Sequence, residues 1–454
     1  MLRCLFALYA VALLQSAAAV FIPYEDRPRT EDLRPEGRSY LQISSTEWPA
    51  WVAKRDAEIR GRLARGDEDS LVYLWLYGTS FTKQPRATVE HLSTIGTGEK
   101  AEALLIQRLE DLVAGVRSPE ANERLQFART FLTGKGMNPA TAAGRDHIKA
   151  FLVTARERVI AENQQLVRSA QSARQSADPG AAMSAYATLY RERGLSSDTR
   201  LTSSFAVDAT LAALAQGRVL GAGSVRRAAI VGPGLDFTDK AEGFDFYPQQ
   251  TIQPFALFDS LLRLALAKPG ELRVSTFDLS PRVNAHLANA VRRAAAATAY
   301  RLQLPRPLSD PRHEWQPELI EYWRSFGERL GRTVAPAAVP PGMSGIELRA
   351  ISVTPSIVSA IAPHDLNVVV QRQQLAERER FDLIVATNIL VYYDAFEQSL
   401  ALANIASMLR PGGIFLANYA VAPSAQMEAL PQLTTPVFFD KQQNGDTIYC
   451  YRRR

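Results

Sequence analysis

Two glycines, an aspartate and an asparagine follow apolar runs in this chain, and their types suit the holding of a polar ligand that carries a ribose. Gly232-Pro233-Gly234 comes at once after Ala228-Ala229-Ile230-Val231. Glycine there lets a ligand approach the backbone closely, and a following helix N-terminus suits a carboxylate or phosphate. By itself a GxG is common in loops. Asp278 closes a second run, Leu272-Arg273-Val274-Ser275-Thr276-Phe277. A carboxylate in that place can accept hydrogen bonds from both hydroxyls of a ribose. Its competing role is to cap the helix that opens at Pro281, for which Ser280 is better placed. His364-Asp365-Leu366 follow a third apolar region, and Thr387-Asn388 follow a fourth.

Such residues need a scaffold, and the pattern after Ser203 supplies one. Apolar strands alternate with helices, the signature of a parallel sheet with crossovers. Ala228–Val231 and Leu272–Phe277 are the first two expected strands, separated by a helix over Leu257–Ala267. A helix over Pro281–Thr298 follows, with proline in its first turn where it is tolerated. Tyr300–Gly345, rich in proline and aromatics, is expected to interrupt the sheet, with the third strand at Ile346–Val353. Phe381–Ala386 is the fourth, then a helix over Phe396–Leu409, and Arg410-Pro411-Gly412-Gly413 turns into a fifth strand at Ile414–Ala417. The last residues predict a β-hairpin around the turn at Asn444-Gly445. In a doubly wound sheet a ligand lies beyond the carboxyl ends of the strands, where the strand order reverses.

Specific segments carry a resemblance. Phe381 to Asn418, FDLIVATNILVYYDAFEQSLALANIASMLRPGGIFLAN, is similar to the fourth and fifth motif region of class I S-adenosylmethionine-dependent methyltransferases. Arg273 to Leu287, RVSTFDLSPRVNAHL, resembles that family's second motif, and the C-terminal hairpin resembles its antiparallel edge. Within the family, Phe277–Arg282 and Asn388–Tyr393 look most like the chemotaxis-receptor (CheR-type) methyltransferases, which also carry a helical N-terminal domain. The likeness spans Ser203 to Arg454. It implies a Rossmann-like, doubly wound, mostly parallel α/β sheet with a C-terminal antiparallel hairpin, and S-adenosyl-L-methionine as cofactor. Carried over by position, Gly232 and Gly234 would pass beneath the methionine portion and Asp278, next to Leu279, would hold the ribose. Asp365 and Leu366 would flank the adenine, and Asn388 would line the cleft near the sulfonium. Tyr392 and Tyr393 would shape the acceptor pocket or pack in the core. Asn388 and Tyr392 are the candidates for a catalytic role.

One position departs from the family. Its first motif opens with an acid two residues before the first glycine and holds a third glycine two after the second; here those positions are Ile230 and Asp236. Recognition of the cofactor amine would then fall to residues such as Asp236 or Asp239. The stretch Asp236–Gln253, with Phe244, Phe246, Tyr247 and Pro248, is long for a strand-to-helix link and is expected to form a lid or substrate loop. Methyl transfer asks a protein chiefly to position and desolvate a nucleophile, with a base where the acceptor is a hydroxyl or amine. His364 is a candidate base, against an exposed or capping role. The motifs do not name the acceptor, which is a small molecule or a protein side chain. The alternative is an exported binding or scaffold protein that keeps the fold without catalysis. An NAD(P)-dependent reductase would want GxGxxG entering a helix directly, and the chain lacks it.

The rest of the chain bounds the context. At 454 residues, two or three domains are expected, divided as a leader over 1–19, an all-α domain over 20–200, and the methyltransferase-like domain over 201–454 with an insertion near 299–345. From Glu47 to about Arg193 apolar residues recur at helical steps, and the cluster Tyr73, Trp75, Tyr77 is expected in a core. The net charge of +5 is not gathered into a basic stripe, so no nucleic-acid partner is expected. Cys4 and Cys450 cannot build a disulfide framework, and the five histidines lack metal-binding spacing. Arg3, the apolar run Leu5–Leu14 and Ala17-Ala18-Ala19 form the pattern of a secretory signal peptide cut after Ala19, which predicts export; the alternative is a buried N-terminal helix or a misplaced start, with the protein then cytoplasmic. No other window reaches transmembrane length.

Overall fold

The computed structural model describes residues 18–33, 38, 40, 42–78, 99–175, 201–235, 246–308, 314–339, 345–422 and 424–454. The leader, apart from its last two residues, lies outside them. So do Asp236, Asp239 and Phe244 of the expected lid.

Seven strands share one ordered path in the main sheet. Strands β2 (Arg227–Val231), β3 (Arg273–Asp278), β7 (Ile361–Asp365), β9 (Phe381–Ala386) and β10 (Leu409–Ala417) run parallel in the spatial order β7-β3-β2-β9-β10. Counted along the chain within this sheet, that order is third, second, first, fourth, fifth. It is the order of a Rossmann-type sheet, and it reverses between β2 and β9. Beside β10 lies β13 (Gly445–Arg453), antiparallel, which in turn pairs with β11 (Met427–Ala429) and β12 (Thr435–Phe438). The fold is a Rossmann-like α/β sheet with an antiparallel C-terminal edge.

Both faces of the sheet are covered, as strict alternation along the strands demands. Ala228 and Ile230 of β2, Leu383 and Val385 of β9, and Ile414 and Leu416 of β10 enter one core. Helices α5 (Leu201–Gln216), α6 (Gln253–Arg263) and α7 (Pro281–Ala295) supply residues to that core. Ala229, Val231, Ile384, Ala386, Phe415 and Ala417 point the other way, into a core shared with α10 (Ala395–Met408). Continuous apolar strands are what burial on two faces requires.

Among the described residues, four helices come before α5 and the main sheet: α1 (Trp48–Tyr77), α2 (Glu99–Arg117), α3 (Glu123–Gly134) and α4 (Ala142–Gln175). Tyr73, Trp75 and Tyr77 are buried, as expected. At 30 residues α1 is about 45 Å long, and its two halves serve different cores. Trp48, Val52, Ile59 and Leu63 pack with α10, whereas Leu71 to Tyr77 join the core on the opposite face. The helix therefore passes over an end of the sheet. A short strand β1 (Ala19–Phe21) pairs with β8 (Gln371–Gln373).

Three expectations are corrected. Ile346–Val353 is not the third parallel strand. It forms β6, the centre of a separate antiparallel sheet between β4 (Tyr300–Pro307) and β5 (Gly331–Val334), and β7 takes the third place. The stretch expected as an interruption thus holds two strands and helix α8 (Pro317–Ser325). Pro305 and Pro307 misled because proline is excluded from central strands, but β4 is an edge strand, where a missing N–H costs no ladder bond. Finally, Asn444-Gly445 is not a two-residue turn. The pair Phe438–Gly445 closes a six-residue connection, 439–444, in which the Asp440 carboxylate accepts from the N–H groups of Gln442 and Asn444. Gly445 begins the strand, where a Cβ would stand 2.3 Å from the Val437 carbonyl oxygen.

Candidate functional site

At the reversal point the chain leaves β2 through Gly232 and Gly234, both with left-handed φ, 68° and 62°. L-residues with a Cβ avoid that region. Ile389, from the loop after β9, lies over Gly232, and a Cβ there would come within 2.2 Å of its Cδ1. The neighbouring strand ends in Asp278, buried at 7% exposure. Its carboxylate accepts from the backbone N–H of Ser280 at 2.8 Å and, at 3.5 Å, from that of Gly234. Burial pushes this carboxyl up to about 7, against those N–H groups and helped by nearby Asp67. A carboxylate offers about four acceptor sites, so a ligand's hydroxyls find acceptor capacity here. Ser280 stands at the N-cap of α7 without a capping side-chain bond; its hydroxyl instead lies 3.1 Å from Asp67.

Helix α1 closes over this end. Asp56, Arg60 and Asp67 fall on one stripe, about 40° wide at 100° per residue, next to the apolar stripe that seats the helix. Arg60 pairs with Asp365 at 2.8 Å and with Asp56 at 2.9 Å. Asp67 takes both Nη2 and Nε of Arg282, at 2.8 and 3.2 Å. Asp56 accepts from the Asn367 amide at 2.8 Å, and Arg62, on another side of the helix, donates to the Tyr392 carbonyl at 2.8 Å. One helix thus touches the chain just beyond β3, β7 and β9.

The other side of the reversal is built from amides. Asn388 has a φ of 58°. Its N–H donates to Asn418 Oδ1 at 2.7 Å, its Oδ1 accepts from Asn418 Nδ2 at 2.6 Å, and its Nδ2 reaches Ser203 of α5 at 3.3 Å. Asn418 also donates to Asp446 at 3.0 Å. Between the two sides sits Gln253, the first residue of α6. Its Nε2 donates to the Thr387 hydroxyl at 2.6 Å, while its Oε1 is buried with no partner. Thr251 lies 3.5 Å from the Pro233 carbonyl. The N-terminus of α6 carries no side-chain cap.

Of the expected residues, Gly232, Gly234, Asp278 and Asn388 converge on the reversal point. Asp365 ends the edge strand beside Asp278, 58% exposed at its side chain and held by Arg60. Leu366 is buried and its N–H meets the Asp278 carbonyl at 3.4 Å. Leu279 packs half-buried against the α10 core, as does Tyr392, and Tyr393 lies within that core. His364 sits inside β7, half-buried with its ring 5.8 Å from that of Phe277, and burial lowers its pKa. It is neither exposed nor a cap. Sequence reasoning missed Asp67, Arg60, Gln253 and Asn418. The α1 residues left one signal, charges at i, i+4 and i+11 beside an apolar stripe; the other two left none.

No protein-family model matches the chain, and no curated protein matches it. Solved structures with a similar arrangement include the N-methyltransferase NodS from Bradyrhizobium japonicum, 14% identical, covering 55% of this chain and 87% of its own, at a TM-score of 0.24. The magnesium protoporphyrin IX methyltransferase ChlM from Synechocystis is 10% identical over 56% of this chain and 81% of its own, TM-score 0.26. The mitomycin 7-O-methyltransferase MmcR is 11% identical over 92% of this chain and 100% of its own, TM-score 0.30. At such scores the superpositions are loose, and the fold rests on the strand order described above.

Proposed function

We propose that the chain is an S-adenosylmethionine-dependent methyltransferase whose cofactor lies across the carboxyl ends of β7, β3, β2 and β9. The observation that carries this reading is Asp278, a buried carboxylate at the end of β3, within reach of the Gly234 N–H at the reversal point of the sheet. In this arrangement Asp278 holds the ribose hydroxyls, with Leu366 and Asp365 toward the adenine. The backbone at Gly232 and Gly234 passes under the methionine portion, whose carboxylate suits the uncapped N-terminus of α6. The unpartnered Oε1 of Gln253 fits the cofactor's ammonium, the task left open by Ile230.

S-adenosylmethionine supplies an electrophilic methyl group on a sulfonium. The chain's own part is to hold that group rigidly, exclude water under α1, and present an acceptor nucleophile in line. The Asn388–Asn418 amide pair borders the acceptor side and orients rather than deprotonates, since amides do not titrate; Asp446, behind Asn418, is the titratable member of the network, and burial raises its pKa. The acceptor is a small molecule or a protein side chain. Residues 1–19 act as an export leader in this reading, with Val20 and Phe21 remaining in β1 after a cut behind Ala19. Cell fractionation tests that part, and recovery of uncleaved chain from the cytoplasm would overturn it.

Calorimetry of the purified chain with S-adenosylmethionine and with S-adenosylhomocysteine tests the main proposal. Binding of either is the expected result. No heat with both would leave the fold as a non-catalytic scaffold.

A further inference from the structure

A cleft of about 580 Å³ lies between α7, the start of β4 and the segment that returns toward α6. Its walls are prebuilt. The Gln250 side chain donates to the Gln303 carbonyl and accepts from the Gln303 N–H, each at 2.7 Å, so the returning segment is fastened to β4 like one more rung of a ladder. Tyr300 stacks on Phe255 with ring centroids 4.9 Å apart, and its hydroxyl accepts from the Thr251 N–H at 2.9 Å. The same hydroxyl lies 2.6 Å from His286 Nε2. The phenol oxygen has two lone pairs and one proton, so it bonds to Nε2 in either imidazole tautomer while accepting from Thr251. Burial and the neighbouring Arg293 hold His286 down to about 4, so it is neutral near pH 7.

The chemistry of the lining is one-sided. Arg293, one helical stripe along from His286, and Arg301 on β4 both line the cleft. Among the described residues neither has a carboxylate within 4.0 Å, and no aspartate or glutamate lines the cleft. Gln249 Nε2 is buried and has no hydrogen-bond partner. Buried donors without partners are costly, and a ligand oxygen is what would relieve that cost. A second cleft, near the starts of β3 and β7, lacks this imbalance. There Glu328 stands beside Arg329, and Arg273 is spent on the carbonyls of Gly270 and Leu272.

We propose that the cleft between α7 and β4 binds a small organic molecule through its carboxylate or phosphate group, held by Arg293, Arg301 and the Gln249 amide. The volume is several times what a bare oxyanion fills, so the organic part occupies the remainder against Tyr300. The site does not depend on the methyltransferase reading. Its failure and that of the cofactor site are distinguishable, since neither arginine belongs to the strand-end cleft.

Titrating the full chain with inorganic phosphate and with phenyl phosphate, followed by calorimetry or ligand-observed NMR, tests this. Phenyl phosphate should bind at least tenfold more tightly than inorganic phosphate. The double variant Arg293→Ala/Arg301→Ala should weaken phenyl phosphate at least tenfold, while Arg332→Ala, an exposed arginine elsewhere on the β4–β6–β5 sheet, leaves it unchanged. An unaltered melting temperature of the double variant shows that it folds. No binding of either probe, equal affinity for both, or equal loss in the Arg332 variant would overturn the proposal.

Discussion

The two sides of the reversal point handle polarity in opposite ways. At β3, Asp278 is buried, ringed by backbone N–H groups and closed in by α1, whose Asp67 is locked by two bonds to Arg282. At β9 and β10, exposed Asn388 and half-buried Asn418 bond to each other twice and reach Ser203 and Asp446. The first side uses fixed backbone donors and a charge whose ionisation is costly, an arrangement suited to one invariant ligand. The second uses side-chain amides that exchange partners cheaply, the side that faces the acceptor in the proposed reading. Rigid recognition and adaptable recognition are thus separated by the width of two strands.

Breaking the rigid side should have the largest effect. Asp278→Ala should weaken S-adenosylmethionine binding by roughly 1.5–3 kcal/mol, the scale of charge-assisted hydrogen bonds, as read by calorimetry. Unchanged affinity would remove the ribose from Asp278. Next comes pH. The Asp278 carboxyl is raised to about 7 from its ordinary 3.8. Its neutral form stabilises the free protein below about pH 4, and that contribution is lost as pH rises through 7. A ribose that needs both oxygens as acceptors prefers the ionised form. The cofactor should therefore bind about tenfold more tightly at pH 8 than at pH 6. Asp278→Asn should abolish that dependence and flatten the stability slope between pH 4 and 7. A slope that survives the substitution would assign the titration to another group, such as Glu397, whose carboxyl burial also raises.

A smaller effect should follow from loosening α1. Arg282→Ala removes the guanidinium from the mostly buried Asp67, which keeps the Ser280 hydroxyl and lies close to Asp278, and should cost about 1–2 kcal/mol in denaturant unfolding. If unfolding is unchanged, α1 is held by its apolar stripe alone. On the adaptable side the effects should be smallest. Asn388→Gly keeps the left-handed backbone and deletes only the two side-chain amide bonds, to Asn418 and Ser203, changing stability by about 0.5 kcal/mol or less, whereas Asn388→Ala adds roughly 1 kcal/mol of backbone strain. Equal losses would mean that the amide network, not the backbone, carries Asn388.

Much of the sheet is legible in the residues themselves. Strands β2, β3, β9 and β10 are apolar runs punctuated by Gly232-Pro233-Gly234, Asp278 and Pro411-Gly412-Gly413, and such local punctuation survives folding. Gly232, Gly234 and Asp278 are legible because each directly follows or ends a strand. The third strand was not found there. β7, Ile361-Ala362-Pro363-His364-Asp365, is short, polar and broken by proline, all permitted because it is an edge strand. Eight-residue β6 has the better strand pattern yet belongs to another sheet.

Local periodicity and the conformations that glycine and proline allow set the series of strands and turns and the types of group at their ends. Which strands are neighbours follows from the packed molecule. It alone carried α1 from one core across the strand ends to the other, and set Gln253, Asn418 and Asp67 beside residues far away in the chain. Those meetings depend on burying two apolar faces at once, and no window along a single chain records which distant surface completes a core.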